Sequence, residues 1–352
     1  MLRIPLSLIC ILTTIVLKVD ANEPPPRVFV QWDNDLLSGS DRDYTNGARV
    51  AFVQDLDPNQ KTHNFLQKSL YRLTGAAGGG LLDDYRFNDV GSTRFSWGVG
   101  VTQLMFTPDD FSTPAAPQGE RPYAGWAGLE FSLHVKNDHS ASSVTLALGT
   151  TGPNSYAGDS QTWVHENLSG SPLYQGWDSQ VPGELTVNLH FDHKRRIDWL
   201  DCSIDWPIEL DGYTEWGAAL GNFRTDAYLG GVVRAGYNLP ASYATPRVQI
   251  GSYGHAVFAD AQDDDDPFSI FGFAGARGSA VLHDITLDGP VFRDFDTGVD
   301  REPFVGELLV GVGISWGNID LSLSQTLRTD EFKGQDKNQI YGSVMLRAQW
   351  PF

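Results

Sequence analysis

The sequence predicts an all-β protein: a transmembrane antiparallel β-barrel of about twelve strands, with a short helix in an extracellular loop. Three observations point there. The first is a period of two. In "NQIYGSVMLRAQWPF" the even positions from Ile340 to Phe352 are mostly apolar, while the odd ones include Ser343, Arg347 and Gln349; such alternation marks a strand with one greasy face. The second is what the other faces carry. In "WAGLEFSLHV", "LTVNLHFD" and "NIDLSLSQTL" the polar positions hold Glu130, His134, Asn188, Asp192 and Asp320, which suit a wet lumen. The third is the placement of Trp32, Trp97, Trp126 and Trp350 near strand ends, with Phe352 closing the last strand, as in interfacial girdles. A soluble β-sandwich would also alternate, but the lumen-like polar face and the girdles favour the barrel.

The elements follow in order. Arg3 precedes an apolar run from Ile4 to Leu17, and Val19-Asp20-Ala21 resembles a small-residue cleavage site. Residues 1–21 therefore read as a secretory signal and 22–352 as one barrel domain. Ile9 before Cys10 is too large for a lipoprotein site, so the mature chain keeps only Cys202, expected as a buried thiol with no disulfide. No later stretch reaches the ~18 apolar residues of a spanning helix. Strands are expected near 27–36, 44–54, 93–106, 123–136, 142–151, 184–196, 199–210 continuing toward 220, 226–238, 268–286, 303–316, 318–329 and 338–352. An even number returns the C-terminus to the periplasmic side where the first strand starts. The turns at 36–43, 107–122, 152–183, 221–225, 287–302 and 330–337 then face outward. On the inner side, "HNFLQKSLYRL" reads as a short amphipathic helix, and Asp263–Asp266 as a solvated turn.

Bulk composition narrows the partners. A net charge of −19, from 44 acidic and 25 basic residues, argues against nucleic acid and is compatible with a surface that recruits divalent cations. The 37 glycines and 12% aromatic content suit strands and turns.

Polar residues gather in the outward turns. "WDNDLLSGSDRDYTNG" brings Asn34, Asp35, Asp43, Thr45 and Asn46; "ERPYAGW" brings Arg121 and Tyr123. The longest turn brings Gln161, His165 and Glu166 on a helix expected from about Gly158 to Leu168. There Gln161 and His165 stand four apart on one face, and Trp163, Val164 and Leu168 are left to press on barrel or lipid. No G-x-S-x-G elbow or H-E-x-x-H helix occurs. His165 offers a base suited to neutral pH, and Asp35, Asp43 and Glu166 offer hard oxygen ligands for a cation. On spacing alone, the acidic hairpin reads as a solvated loop and the histidine as a surface residue.

The set "NDLLSGSDRDYTNG", "FTPDDF", "ERPYAGW", "TGPNSYAGDSQTWVH", "GWDSQ", "ITLDG" and "RTDEFKGQDKNQIYGSVML" closely resembles the lipid A 3'-O-deacylase family of Gram-negative outer membranes, in order from about Val28 to Phe352. The resemblance implies a monomeric twelve-stranded barrel acting on lipid A, the lipid anchor of lipopolysaccharide, among outer-membrane lipids. Calcium would be the cofactor, and the site would lie between the outer barrel wall and a loop helix. It implies His165 as base, with Asn34, Asp35 and Thr45 in the catalytic set. Arg121 would contact a lipid phosphate, with Tyr123 and Gln161 beside the substrate. The chain departs from the family pattern twice: the carboxylate expected a turn or more after the histidine is here adjacent, as Glu166, or distant, as Asp178, and Glu120 stands where aspartate is common. Rival readings are an outer-membrane phospholipase-like esterase, which would need a serine beside its histidine, a non-catalytic porin or adhesin, and a soluble calcium-binding β protein.

Overall fold

The computed structural model describes residues 26–34, 43–56, 94–136, 139–205, 207–240, 248, 250 and 266–349. The signal segment, the 63–73 helix, Asp35, Trp350, Phe352 and Asp263 to Asp265 lie outside them.

Alternation is realised as a closed antiparallel ring. The strands are β1 (Arg27–Asn34), β2 (Asp43–Leu56), β3 (Arg94–Thr107), β4 (Ala124–Lys136), β5 (Ser140–Thr151), β6 (Leu185–Arg196), β7 (Cys202–Asp205), β8 (Ile208–Gly221), β9 (Arg224–Tyr237), β10 (Phe268–Asp284), β11 (Phe304–Trp316), β12 (Ile319–Arg328) and β13 (Gln339–Gln349). Each long strand pairs with its neighbour in sequence, β1 pairs with β13, and β6 pairs with β8 across β7. Twelve strands thus close the wall and leave no long edge, the only strand solution open to a bilayer. The four-residue β7 is the extra element: it hairpins onto the start of β8, where the sequence suggested one continuous strand. Cys202 sits there exposed, correcting the expected buried thiol; among the described residues β7 pairs with β8 alone, so it is an edge and not part of the closed wall.

The two faces separate by chemistry. Val28, Val30, Val50, Leu129, Phe131, Leu146, Leu148, Val310, Val312 and Ile314 are exposed on the outside, forming the apolar belt a lipid-facing wall requires. Inside, charges pair across strands. Arg49 on β2 reaches Glu130 on β4 at 2.8 Å and Gln31 on β1 at 2.9 Å. Glu215 on β8 accepts Lys194 at 3.0 Å and Arg277 at 2.8 Å. Arg234 pairs with Asp211. A buried charge is tolerated only when paired, and these pairs fill the lumen. Trp126 departs from the girdle expectation: it is 1% exposed and points inward, its indole donating to Thr186 at 2.8 Å.

Call the end away from Arg27 and Gln349 the distal rim. It carries α1 (Ala157–Val164) and the one-turn α2 (Ile285–Asp288). A cavity of about 60 Å³ lies inside the barrel just below it, lined by Tyr44, Arg224, Asp284, Arg328, Glu331 and Tyr341 among others.

Candidate active site at the barrel wall

Helix α1 lies against the outside of the wall. Glycine at 125 makes that possible: a Cβ there would stand 2.3 Å from Ser155 Oγ and 2.5 Å from Ala157 Cβ, so the loop backbone seats directly on β4. Gln103 of β3 donates to the Ser155 carbonyl at 2.6 Å, and Tyr156 enters the helix at φ 55. Beneath the helix, Met105, Tyr123, Ala157, Tyr174 and Trp177 form one apolar cluster. Trp163 and Val164 are exposed, so the opposite face meets the surroundings rather than the barrel; the side chain of Leu168 lies outside the description.

Ala157, Gln161 and His165 are all buried and recur every four residues, so they form the stripe turned to the wall. This is the face on which the sequence sets Gln161 and His165 together. At His165 the helix widens into a single π-turn, His165–Ser169, closed by Gly170 at φ 70; π-turns are frequent at functional sites. The turn brings the chain back so that the Pro172 carbonyl lies 2.7 Å from His165 Nδ1. A carbonyl only accepts, so Nδ1 carries the proton and Nε2 presents its lone pair. Tyr174 packs edge-on to the imidazole at 5.4 Å between ring centres. Neither Glu166 nor Asp178 supplies the orienting contact; both are exposed. A backbone carbonyl has no sequence signature, which is why the histidine's partner could not be read from the residues.

The wall opposite is built by strand register. Asn34 pairs with Asn46 on β2, and Asn46 with Met105 on β3, so Asn34 lies two strands, roughly 10 Å, from the cluster beneath the helix. It shares the parity of Val28, Val30 and Trp32 yet is only 6% exposed, and its amide donates to the Thr45 carbonyl at 3.4 Å. Thr45 occupies a bulge between Tyr44 and Asn46, and its hydroxyl meets that of Thr107 at 2.5 Å. Bulges re-aim side chains beside active sites.

Two expected substrate contacts are placed otherwise. Arg121 is 1% exposed, donates to Glu331 at 2.6 Å and to Thr286 at 2.8 Å, and lies over the Phe106 ring. Both terminal nitrogens of the guanidinium are thus engaged inside the rim, where it acts as a strut. Burial alone would raise the Glu331 carboxyl, but the Arg121 and Arg328 guanidiniums beside it hold it below its ordinary value. Tyr123 is fully buried between Tyr174 and Trp177. Burial pushes its phenol up to about 12, and its ring forms part of the cluster beneath the helix.

Of the three residues expected to hold a cation, Asp43 and Glu166 are described and Asp35 lies outside the described residues. Asp43, at φ 64, turns its carboxylate to Gln335 at 3.2 Å, and Glu166 is exposed. Among the described residues no group of three or more His, Cys, Asp or Glu gathers. The oxygens of Asn34, Thr45 and Asp43 are of the hard type that calcium takes, but they do not make a cage without further ligands, such as Asp35.

The family model described as "Outer membrane protein LpxR" matches residues 6–350. The chain belongs to that family. Among solved structures, LpxR from Salmonella typhimurium superposes with a TM-score of 0.66 at 18% identity, covering 92% of this chain and 100% of that one. The β domain of the Bordetella autotransporter BrkA follows at a TM-score of 0.40 and 12% identity, covering 94% of this chain and 100% of the other. No individually curated protein matches the chain significantly. Family membership makes this an outer-membrane barrel, and the Salmonella protein shares its fold.

Proposed function

We propose that this barrel hydrolyses the ester carrying the 3'-linked acyloxyacyl chain of lipid A, in the outer leaflet of a Gram-negative outer membrane, with His165 as general base. One observation carries the reading. His165 is buried in the crevice between α1 and the outer wall, with Nδ1 committed to the Pro172 carbonyl at 2.7 Å; its free nitrogen is therefore a base on the lipid side of the barrel. A soluble hydrolase would have no reason to place its base outside the wall. A lipid-ester hydrolase must do so, because its substrate never enters the lumen. The lumen is filled by ion pairs, which weighs against the porin alternative.

The chemistry is ester hydrolysis. Nε2 takes a proton from water as its oxygen adds to the ester carbonyl. The tetrahedral intermediate collapses, the imidazolium returns the proton to the departing sugar oxygen, and a carboxylic acid and a free hydroxyl result. Trp163 and Val164 would lie among acyl chains, holding α1 at the depth of the ester. We include calcium in the proposal: when bound, it would polarise the carbonyl and stabilise negative charge on it.

Purified protein in detergent is given hexa-acylated lipid A with calcium or with chelator, and the products are read by mass spectrometry. Calcium-dependent loss of the acyloxyacyl group is expected, with His165→Ala slower by about 10²–10⁴-fold. Intact lipid A with release of fatty acid from phospholipid would replace this reading by the phospholipase one.

A further inference from the structure

The stripe that holds His165 also holds a hydrogen-bond donor with nothing to bond. Gln161 Oε1 accepts from the indole nitrogen of Trp177 at 2.7 Å. Its Nε2, buried, has no partner among the described residues, although Gln161 is only 5% exposed. The orientation of the amide is not arbitrary. An indole N–H can only donate, so the oxygen must face Trp177 and the NH₂ must face away from it. Trp177 is itself immobilised. Its ring packs at 5.4 Å and 61° against Tyr123, and Gly158 is bare where a Cβ would stand 2.7 Å from Trp177 Cγ. Leaving a buried amide donor unsatisfied costs about 1–3 kcal/mol, so such a donor beside a base has a reason to be there.

We propose that the Gln161 carboxamide donates to the carbonyl oxygen of the scissile ester, and that Trp177 is the positioning residue that keeps it aimed. Resting on the ester-hydrolase reading above, this adds the group that recognises the acyl carbonyl. One helical turn separates Gln161 from His165, so base and donor can bracket a single ester. As water adds, negative charge collects on the carbonyl oxygen, and an amide donor whose oxygen is tied to Trp177 stabilises the intermediate. A ligand that enters here must present an acceptor oxygen.

Two substitutions separate this from a packing role. Gln161→Glu keeps the oxygen that receives the Trp177 N–H and removes the donor. Trp177→Phe keeps the ring against Tyr123 and Gly158 and removes the N–H that fixes the amide. Rates are measured on lipid A in detergent, with folding checked by heat-modifiable gel mobility, alongside His165→Ala. Gln161→Glu is expected to lose about 100-fold in kcat with KM within about twofold. Trp177→Phe is expected to lose about tenfold, and the double variant to be no slower than Gln161→Glu alone, since the amide aimed by Trp177 is then already gone. Should Gln161→Glu misfold, Gln161→Met is read by the same criteria. Wild-type kcat in the folded Gln161 variant, with His165→Ala inactive, overturns the donor assignment and leaves the hydrolase reading standing. Wild-type activity in His165→Ala overturns that reading and the donor with it.

Discussion

Arg121 shows how the same residue type can serve recognition or architecture depending on what closes around it. A guanidinium beside lipid A would bind phosphate in a bidentate fork; this one is locked to Glu331 and Thr286. Three motifs quoted for the family resemblance, "ERPYAGW", "ITLDG" and "RTDEFKG", thus meet in one buried network. Removing one member of a buried pair costs up to about 3–5 kcal/mol, and Arg328, 3.3 Å from Glu331, would still offset part of the exposed charge. Arg121→Ala is accordingly expected to lower unfolding stability by up to that amount with little change in KM, measured by thermal melts and lipid A kinetics. A rise in KM with unchanged stability would return Arg121 to the substrate. The acid behaviour follows from Glu331. Its folded-state pKa lies below the ordinary 4.5 because of Arg121 and Arg328. Its contribution is therefore fully present above pH 4.5 and is lost as pH falls through the depressed value. Melting temperature measured downward from neutral pH should stay level until about 4.5 and then fall, and Glu331→Gln should flatten that decline.

At the scale of elements, α1 is too short to stand alone in water, and its place is set by what lies under it. Gly125, Gln103 and the Met105–Tyr123–Trp177 cluster seat the helix; the π-turn and Gly170 then bring the Pro172 carbonyl back to the histidine. Gly125→Val should push the helix from the wall, where Ser155 and Ala157 already stand within 2.5 Å of the new Cβ. Activity is expected to drop by about tenfold or more, because small misplacements of positioned groups cost that much. Barrel assembly, read by gel mobility, should be unchanged, since β4 keeps its ladders to β3 and β5. Lost assembly would instead make Gly125 a folding residue. The pairing of Gln161 and His165 was legible as an i,i+4 spacing. Trp177, sixteen residues after Gln161 and beyond a π-turn, was not, because no periodic rule connects them.

The whole molecule is a wall with two solvents and a closed interior. Its outer side follows the alternation rule from Val28 to Leu346, whereas its lumen is occupied by ladders such as Gln31–Arg49–Glu130 and, near the distal rim, by Arg224 with Asp226 and Asp284. Planar-bilayer recordings should accordingly show no steady porin-like conductance; sustained ohmic steps would mean the ladders open. A charge on the outside should be costly by depth: Val312→Arg, near the middle of β11, should destabilise by about 2–4 kcal/mol, measured by unfolding in lipid vesicles.

Local rules determined most of the architecture. A period of two fixes which face each residue takes, and turn residues mark where strands stop, so eleven long strands were placed within a few residues; only β8 was merged with the β7 hairpin. Chemistry at the rim was decided by tertiary structure, because contact across strands depends on closure and register and not on spacing along the chain. Closure carried Arg121 to Glu331, 210 residues away, and turned Asp43 toward Gln335. A returning backbone carbonyl, which no side chain encodes, chose the tautomer of His165. The sequence by itself determined a lipid-facing barrel with a histidine on a loop helix; tertiary packing decided that its imidazole is buried against the outer wall with Nδ1 committed to a backbone carbonyl, because only the folded wall and the returning chain bring those groups to it.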